Sequence, residues 1–421
     1  MKSIRSIHRF LHEHDVKCQV FESAPNRGNL VARISGTGNG PKLMFGPSHV
    51  DVVPVENPDE WEVDPFSGTV KDGYVWGRGA LDMLYIVVTQ VQAFIKLQKE
   101  KYQPKGDLIL LIVSDEEAGG VFGAEWMLKN HPEKVKTDYL VTEAGGLSIA
   151  PGKLVFVIGE KGGAWKRISF KGTPGHGSMP YGSDNAAHKA AQAIIKLTEY
   201  CDSKIPFTTE FLNYLANGLE LGFIQRLMLT NRKLLPYTLN NLKKRDPQMA
   251  RVVHGLTRMT ISPNIVQGGT KVNVIPAAAY IDVDIRTLPG QDDEYVVTQL
   301  KKALGDLAKE ATIKAMSAKE GGFTSYGNAS PAFSGFVSAM EEAVKQELPD
   351  STLVPFIMPA VSDCRFFREQ GVEAYGFSLF DPETPMSHLA NLAHGTNERI
   401  SIRTIELSQR VYYNLAKIFL S

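Results

Sequence analysis

Cysteine is scarce. Cys18, Cys201 and Cys364 are the only three in 421 residues, far apart and without the paired spacing of a zinc-binding loop. That excludes a disulfide framework and predicts a reducing compartment, the cytoplasm. A surplus of either charge is also missing. Lys+Arg and Asp+Glu stand at 46 each, so the positive field of a nucleic-acid binder is absent and no nucleic-acid partner is expected. No apolar run approaches the roughly 20 residues of a membrane span. The opening MKSIRSIHRFLHEHDV is too charged for a signal peptide. No membrane partner is therefore expected. Internal repeats and low-complexity tracts are lacking as well.

What remains is an ordinary globular composition, 43% hydrophobic and 22% charged, in a chain longer than single cores usually reach, so two domains are expected. SIHRFLHEHDV has helical periodicity; CQVFES and NLVARISG alternate like strands; PKLMFGPSHVDVVPV contains an apolar strand. A long apolar helix, LYIVVTQVQAFIKLQKE, follows WGRGALDM. GDLILLIVSDEEAGG and TDYLVTEAGG are buried strands ending in acids. Buried strands alternating with helices predict an α/β layer with a mixed, mainly parallel sheet flanked by helices. From about Val155 alternating strands around helices predict a smaller α+β domain, with a helical insertion near 200–260 whose role the sequence does not reveal. The α/β pattern resumes near Pro331. The expected division is 1–163 and 329–421 for the first domain, with 164–328 inserted.

Four strand-end motifs then stand together: His49 with Asp51, Asp82, the Glu116–Glu117 pair, and Glu143. Each alone has an ordinary explanation. A His-x-Asp pair is often just hydrogen-bonded, a Glu-Glu pair often a solvated helix start, and a later His394 in NLAHGTNERI a surface residue. Together they suit a site, because open α/β sheets bind ligands beyond the carboxyl ends of their strands. Clustered carboxylates repel one another unless a cation lies among them. Histidine with carboxylates suits Zn²⁺, Mn²⁺ or Co²⁺.

In this order, the motifs SHVDVVPV, GRGALDM, SDEEAGG, TEAGG, GTPGHGSMP, SDCRFF and AHGTNE resemble the aminoacylase / glutamate carboxypeptidase / succinyl-diaminopimelate desuccinylase family of co-catalytic zinc metallopeptidases, from about Asn29 to the C-terminus. The resemblance implies a metallopeptidase catalytic domain interrupted by a lid and dimerisation domain. It implies two divalent ions, zinc first and cobalt or manganese next, with Asp82 between them. His49 and Glu143 would complete one site, Glu117 and His394 the other. Glu116 would be the general base, and Asp51 the partner that fixes the His49 ring through its other nitrogen.

By the same resemblance His176 in GTPGHGSMP would steady the oxyanion, reaching across a homodimer. Arg365 in SDCRFF would clamp a substrate carboxylate, and Asn273 in KVNVIP would touch substrate. Ser178 lacks the strand–turn–helix elbow of a serine hydrolase. His388 is a rival to His394; the other histidines read as structural or solvated. Two departures stand out. Leu84 and Tyr85 follow DM where the family has Lys and then small residues. The chain opens on SIHRFLHEH without the family's usual first helix and Pro-Ser segment, which is expected to lower stability. The implied activity is hydrolysis of N-acyl amino acids or small peptides bearing a free carboxylate. The alternatives are a dipeptidase or aminopeptidase, needing an anionic anchor for the substrate amine, and a metal-poor binding homologue.

Overall fold

The structure, a computed structural model, describes residues 1–384, 389 and 391–421. His388 lies outside the described residues. Its main layer is a ten-stranded sheet. In spatial order the path runs Cys18–Ala24, Arg27–Ile34, Leu108–Val113, Leu43–His49, Tyr139–Thr142, Glu373–Gly376, Lys153–Glu160 and Asn328–Ala329. Thr352–Met358 and Ser148–Ala150 also pair with Lys153–Glu160.

The sheet is mixed: at its centre Leu43–His49 runs parallel to both Leu108–Val113 and Tyr139–Thr142, and on one flank Thr352–Met358 runs parallel to Lys153–Glu160. Crossover helices allow the central arrangement. The other edge is antiparallel: two residues join Cys18–Ala24 to Arg27–Ile34, too short for anything but a hairpin. The central strands are buried on both faces. Leu108, Leu110 and Ile112 enter one core with Phe94, Met340 and Val411, while Ile109, Leu111 and Val113 enter a second with Met127 and Phe367. That period of two explains why LILLIV is apolar throughout.

By length and composition one stretch, Ala80–Lys99, is apolar enough to cross a bilayer, contrary to the sequence-based expectation. It is a core helix instead. Most of it is buried, and it packs with Ile402–Phe419 on the first face of the sheet. Tyr85 is one of its buried residues, its hydroxyl 3.0 Å from Ser378 Oγ and its ring edge-on to Phe380. The departure at this position is therefore absorbed by the core.

A second, wholly antiparallel sheet has its own core. Its path is Ala311–Ala315, Lys166–Lys171, Ala278–Thr287, Gly162–Ala164 and Thr324–Ser325, with Thr260–Gly268 paired to Ala278–Thr287. Helices Ala186–Ser203 and Asp293–Leu304 contribute Ala190, Leu197, Val296 and Leu300 to that core. The chain passes between layers twice, side by side: Glu160 pairs with Asn328 in the first sheet, Gly163 with Ser325 in the second. The stretch 200–260 includes four helices, Glu210–Gly218, Phe223–Thr230, Leu235–Arg245 and Pro247–Thr257, around a small core of Leu212, Leu235 and Val253.

Candidate metal centre

The connection after Leu43–His49 leads to Leu108–Val113 on one side, and the next returns past it to Tyr139–Thr142 on the other. The strand order therefore reverses at Leu43–His49, whose carboxyl end is where a crevice opens. His49 ends that strand, Glu116 and Glu117 follow its parallel neighbour, and Glu143 follows the other. Asp82 arrives from the turn before the long core helix, with a cis peptide to Met83. His394 comes from the loop before Arg399–Ser401.

Asp82 stands between the two histidines. Its Oδ1 is 3.3 Å from His49 Nε2 and its Oδ2 is 3.2 Å from His394 Nε2. Each histidine nitrogen faces one further carboxylate: Glu143 Oε2 at 3.6 Å for His49, Glu117 Oε1 at 3.2 Å for His394. An ion held tetrahedrally by bonds of about 2.0–2.2 Å sets its ligand atoms about 3.3–3.6 Å apart. The observed spacings match. His49 is 1% exposed, and among the described residues its Nε2 has no hydrogen-bond partner, which is costly for a polar atom unless a cation takes that place. His49, Asp82 and Glu117 bring donor atoms within 4.8 Å of one another, as do His49, Glu116 and Glu143.

The electrostatics fit the same picture. Burial disfavours a charged His49, yet contacts to Asp82 and Glu143 outweigh it and hold the ring well above its ordinary value. His394 is raised to about 9, first by Asp82. Glu116 is pushed well above the ordinary carboxylate range by burial, then by the charges of Glu143 and Asp363. Burial raises Glu143 and Glu117 as well. Divalent ions would relieve this mutual repulsion.

The loop bearing the two glutamates is held from several sides. The Asp51 carboxylate accepts the backbone N–H groups of Glu116 at 3.3 Å and Glu117 at 3.1 Å. Asp51 also meets the histidine at the ring nitrogen turned away from Asp82: His49 Nδ1 lies 2.9 Å from the Asp51 backbone oxygen and 3.7 Å from its carboxylate. Asp115 shapes the turn by accepting from Phe122 N–H and pairing with Arg27. Arg365 is buried and donates to Gly119 O and Ser362 O, both at 2.7 Å, with its guanidinium over the Phe366 ring. Two of its donors thus brace the loop.

Two buried acids escaped the sequence reading, although both lie inside motifs it singled out. Glu398, the last residue of AHGTNE, accepts from Arg78 at 2.7 Å and from the N–H groups of Gly79, Leu81 and Asp82 at 2.9–3.0 Å. Arg78 in turn donates to the His394 carbonyl. One buried ion pair therefore orients the central aspartate and a histidine from opposite ends of the chain. Asp363 in SDCRFF is 1% exposed, has no hydrogen-bond partner on either oxygen among the described residues, and is pushed up to about 7 by burial. Gly120, at φ +71, leaves room for it; any side chain there would run into Asp363.

His176 and Asn273 lie elsewhere. Both are exposed, on a two-stranded ribbon where His176 pairs with Val274 and Gly177 N–H donates to Asn273 O. His176 Nδ1 is 2.7 Å from Ser178 Oγ. Among the described residues no hydrogen bond or ion pair joins either one to the carboxylate cluster.

Comparison with known proteins agrees with the geometry. The model of peptidase family M20/M25/M40 matches residues 47–418. The chain is 27% identical to aminoacylase-1 of Sus scrofa, over 95% of this chain and 86% of the relative. It is 28% identical to the N-fatty-acyl-amino acid synthase/hydrolase PM20D1 of Xenopus tropicalis, over 87% and 70%. Its fold is similar to an M20 family metallo-carboxypeptidase of Sulfolobus solfataricus, TM-score 0.68 at 20% identity, covering 99% of this chain and 94% of that one. It is also similar to YXEP of Bacillus subtilis, a dinuclear metal binding peptidase of the family, TM-score 0.63 at 15% identity, covering 100% and 92%. The chain belongs to peptidase family M20/M25/M40 and is a hydrolase of the aminoacylase and peptidase type.

Proposed function

We propose that this M20/M25/M40 family member cleaves the amide bond of N-acyl amino acids or small peptides that carry a free carboxylate, using two divalent ions that share Asp82. The observation that carries the reading is the aspartate flanked by two histidines, each with its own second carboxylate. His49 and Glu143 would hold one ion, Glu117 and His394 the other. Zinc suits this donor set, with cobalt and manganese next. When bound, the ion pair supplies polarisation of the scissile carbonyl and acidification of the attacking water.

The remaining work falls to the chain. Glu116 lies on the His49–Glu143 side, and its raised proton affinity suits a group that takes a proton from water and hands it to the leaving amine. Asp51 orients it by holding its backbone N–H. Arg365 keeps N–H groups beyond the two donated to Gly119 and Ser362, and these are what a substrate carboxylate would meet. The second layer, residues 164–328 apart from the helical insertion near 200–260, would act as lid and dimer contact. His176 would steady the oxyanion in a neighbouring subunit, and Asn273 beside it would touch substrate.

The names of two relatives, an aminoacylase and an N-fatty-acyl-amino acid synthase/hydrolase, support acyl amino acids as the first substrates to test. The test is a hydrolysis panel of N-acetyl, N-succinyl and long-chain acyl amino acids beside dipeptides with free amines. Cleavage of the acyl amino acids, and loss of rate on their carboxyamide analogues, is expected. Preference for dipeptides whose amine is free would overturn the reading.

A further inference from the structure

A second surface of note lies in the helical insertion, which supplies none of the clustered acids. The chain as a whole balances its charges, yet the stretch from Arg226 to Arg251 holds seven Lys and Arg against one acid, Asp246. All seven are exposed. Asp246 is already engaged as a helix cap, accepting Met249 N–H at 2.9 Å. Among the described residues none of the seven cations makes an ion pair.

The same region exposes large apolar side chains. Helix Phe223–Thr230 buries none of its residues. Phe223 is 80% and Ile224 71% exposed, and Leu227 and Met228 one turn later extend the same stripe. Tyr237, on the next helix, is 72% exposed. An apolar stripe on a helix that buries nothing is a protrusion, not a groove, and such patches mark interaction surfaces.

The occupant follows from charge and shape. A second copy of this chain would bring the same excess of cations against itself, so self-association here is opposed. A peptide helix needs a groove to lie in, which a protruding stripe does not offer. An anionic bilayer meets both requirements, since its headgroups attract clustered Lys and Arg and its acyl boundary accepts Phe, Ile, Leu and Met. We infer that residues 222–251 dock this protein, peripherally, on an anionic phospholipid surface. Such contact needs no membrane-spanning segment. The inference also stands apart from the hydrolytic reading, because no residue of the metal centre takes part.

Sedimentation with vesicles tests it. Wild-type protein should bind phosphatidylcholine vesicles containing about a third phosphatidylserine, bind pure phosphatidylcholine at least tenfold more weakly, and be released by high salt. K243E/K244E and F223S/I224S should each cut the bound fraction about tenfold or more, while hydrolysis of a soluble substrate is unchanged. Equal binding to neutral and anionic vesicles, or no binding to either, would overturn the inference. So would a wild-type dimer in light scattering that F223S/I224S converts to monomer, because the stripe would then belong to a second copy.

Discussion

The end of the central sheet and the ribbon of the second layer carry the two halves of the proposed site, and they are built in opposite ways. At the sheet end, His49, Asp82, Glu116, Glu117, Glu143 and His394 converge within one layer, and their backbones are fixed by Asp51, Glu398 and Arg365. On the ribbon, His176 and Asn273 are exposed, with partners only in their own loop and strand. The first half is preorganised by hydrogen bonds to its backbones. Under the proposed function the second would have to be brought to the first, so its contribution would depend on assembly and the first half's would not.

The strongest way to break this contrast is at the glutamate pair. Glu116→Gln should keep metal content and lose turnover by about 10²–10⁴-fold, the range for removing a general base, whereas Glu117→Gln should weaken metal binding. Metal analysis and single-turnover rates on both variants would show it. The reverse pattern would exchange their roles.

Next in size is His176→Ala, expected to cost about 10²–10³ in turnover with metal content intact, as for one oxyanion donor. Mixing these subunits with Glu116→Gln subunits sharpens the comparison, because a mixed dimer joins an intact metal site to an intact His176 from its neighbour. Activity should return. Verified mixed dimers that stay inactive would place the two halves in one chain.

Much of the sheet end could be read from sequence. Runs such as LILLIV are buried on both faces, so a polar residue at their end has few explanations. Glu398 and Asp363 could not be read in the same way. The partner of Glu398, Arg78, is 320 residues away, and no local pattern distinguishes a buried acid from an exposed one beside a histidine. Asp51 meets His49 through its backbone oxygen, and its side chain turns toward two backbone N–H groups, a contact that carries no sequence signal. The insertion read as helical. Its exposure depends on packing that left helix Phe223–Thr230 without a partner face.

Glu398 offers a smaller test. Glu398→Gln should lower metal affinity about 10- to 100-fold, the usual cost of losing a group that orients ligands, because it loosens the turn carrying Asp82. Calorimetric titration of the metal-free protein checks this. Unchanged affinity with a lower Tm would make Glu398 purely structural.

The smallest effect concerns Asp363. Its folded pKa of about 7 lies above the value of about 3.9 expected unfolded. The folded state therefore binds more protons between those values, and this group's contribution to stability is present below about pH 4 and lost as pH rises through 7. Asp363→Asn should remove that loss, so metal-free variant and wild type should diverge in denaturant midpoint from pH 4 to 7, the variant gaining. Parallel curves would mean that Asp363 does not titrate there.

The central claim is that Asp82 serves two ions at once. Metal-stripped protein titrated with Zn²⁺ and read by calorimetry and elemental analysis tests it most directly. Two ions per chain are predicted for wild type, with Asp82→Ala weakening both, because its two oxygens face His49 and His394 separately. A single ion per wild-type chain, or an Asp82→Ala variant that binds two as tightly as before, would contradict it.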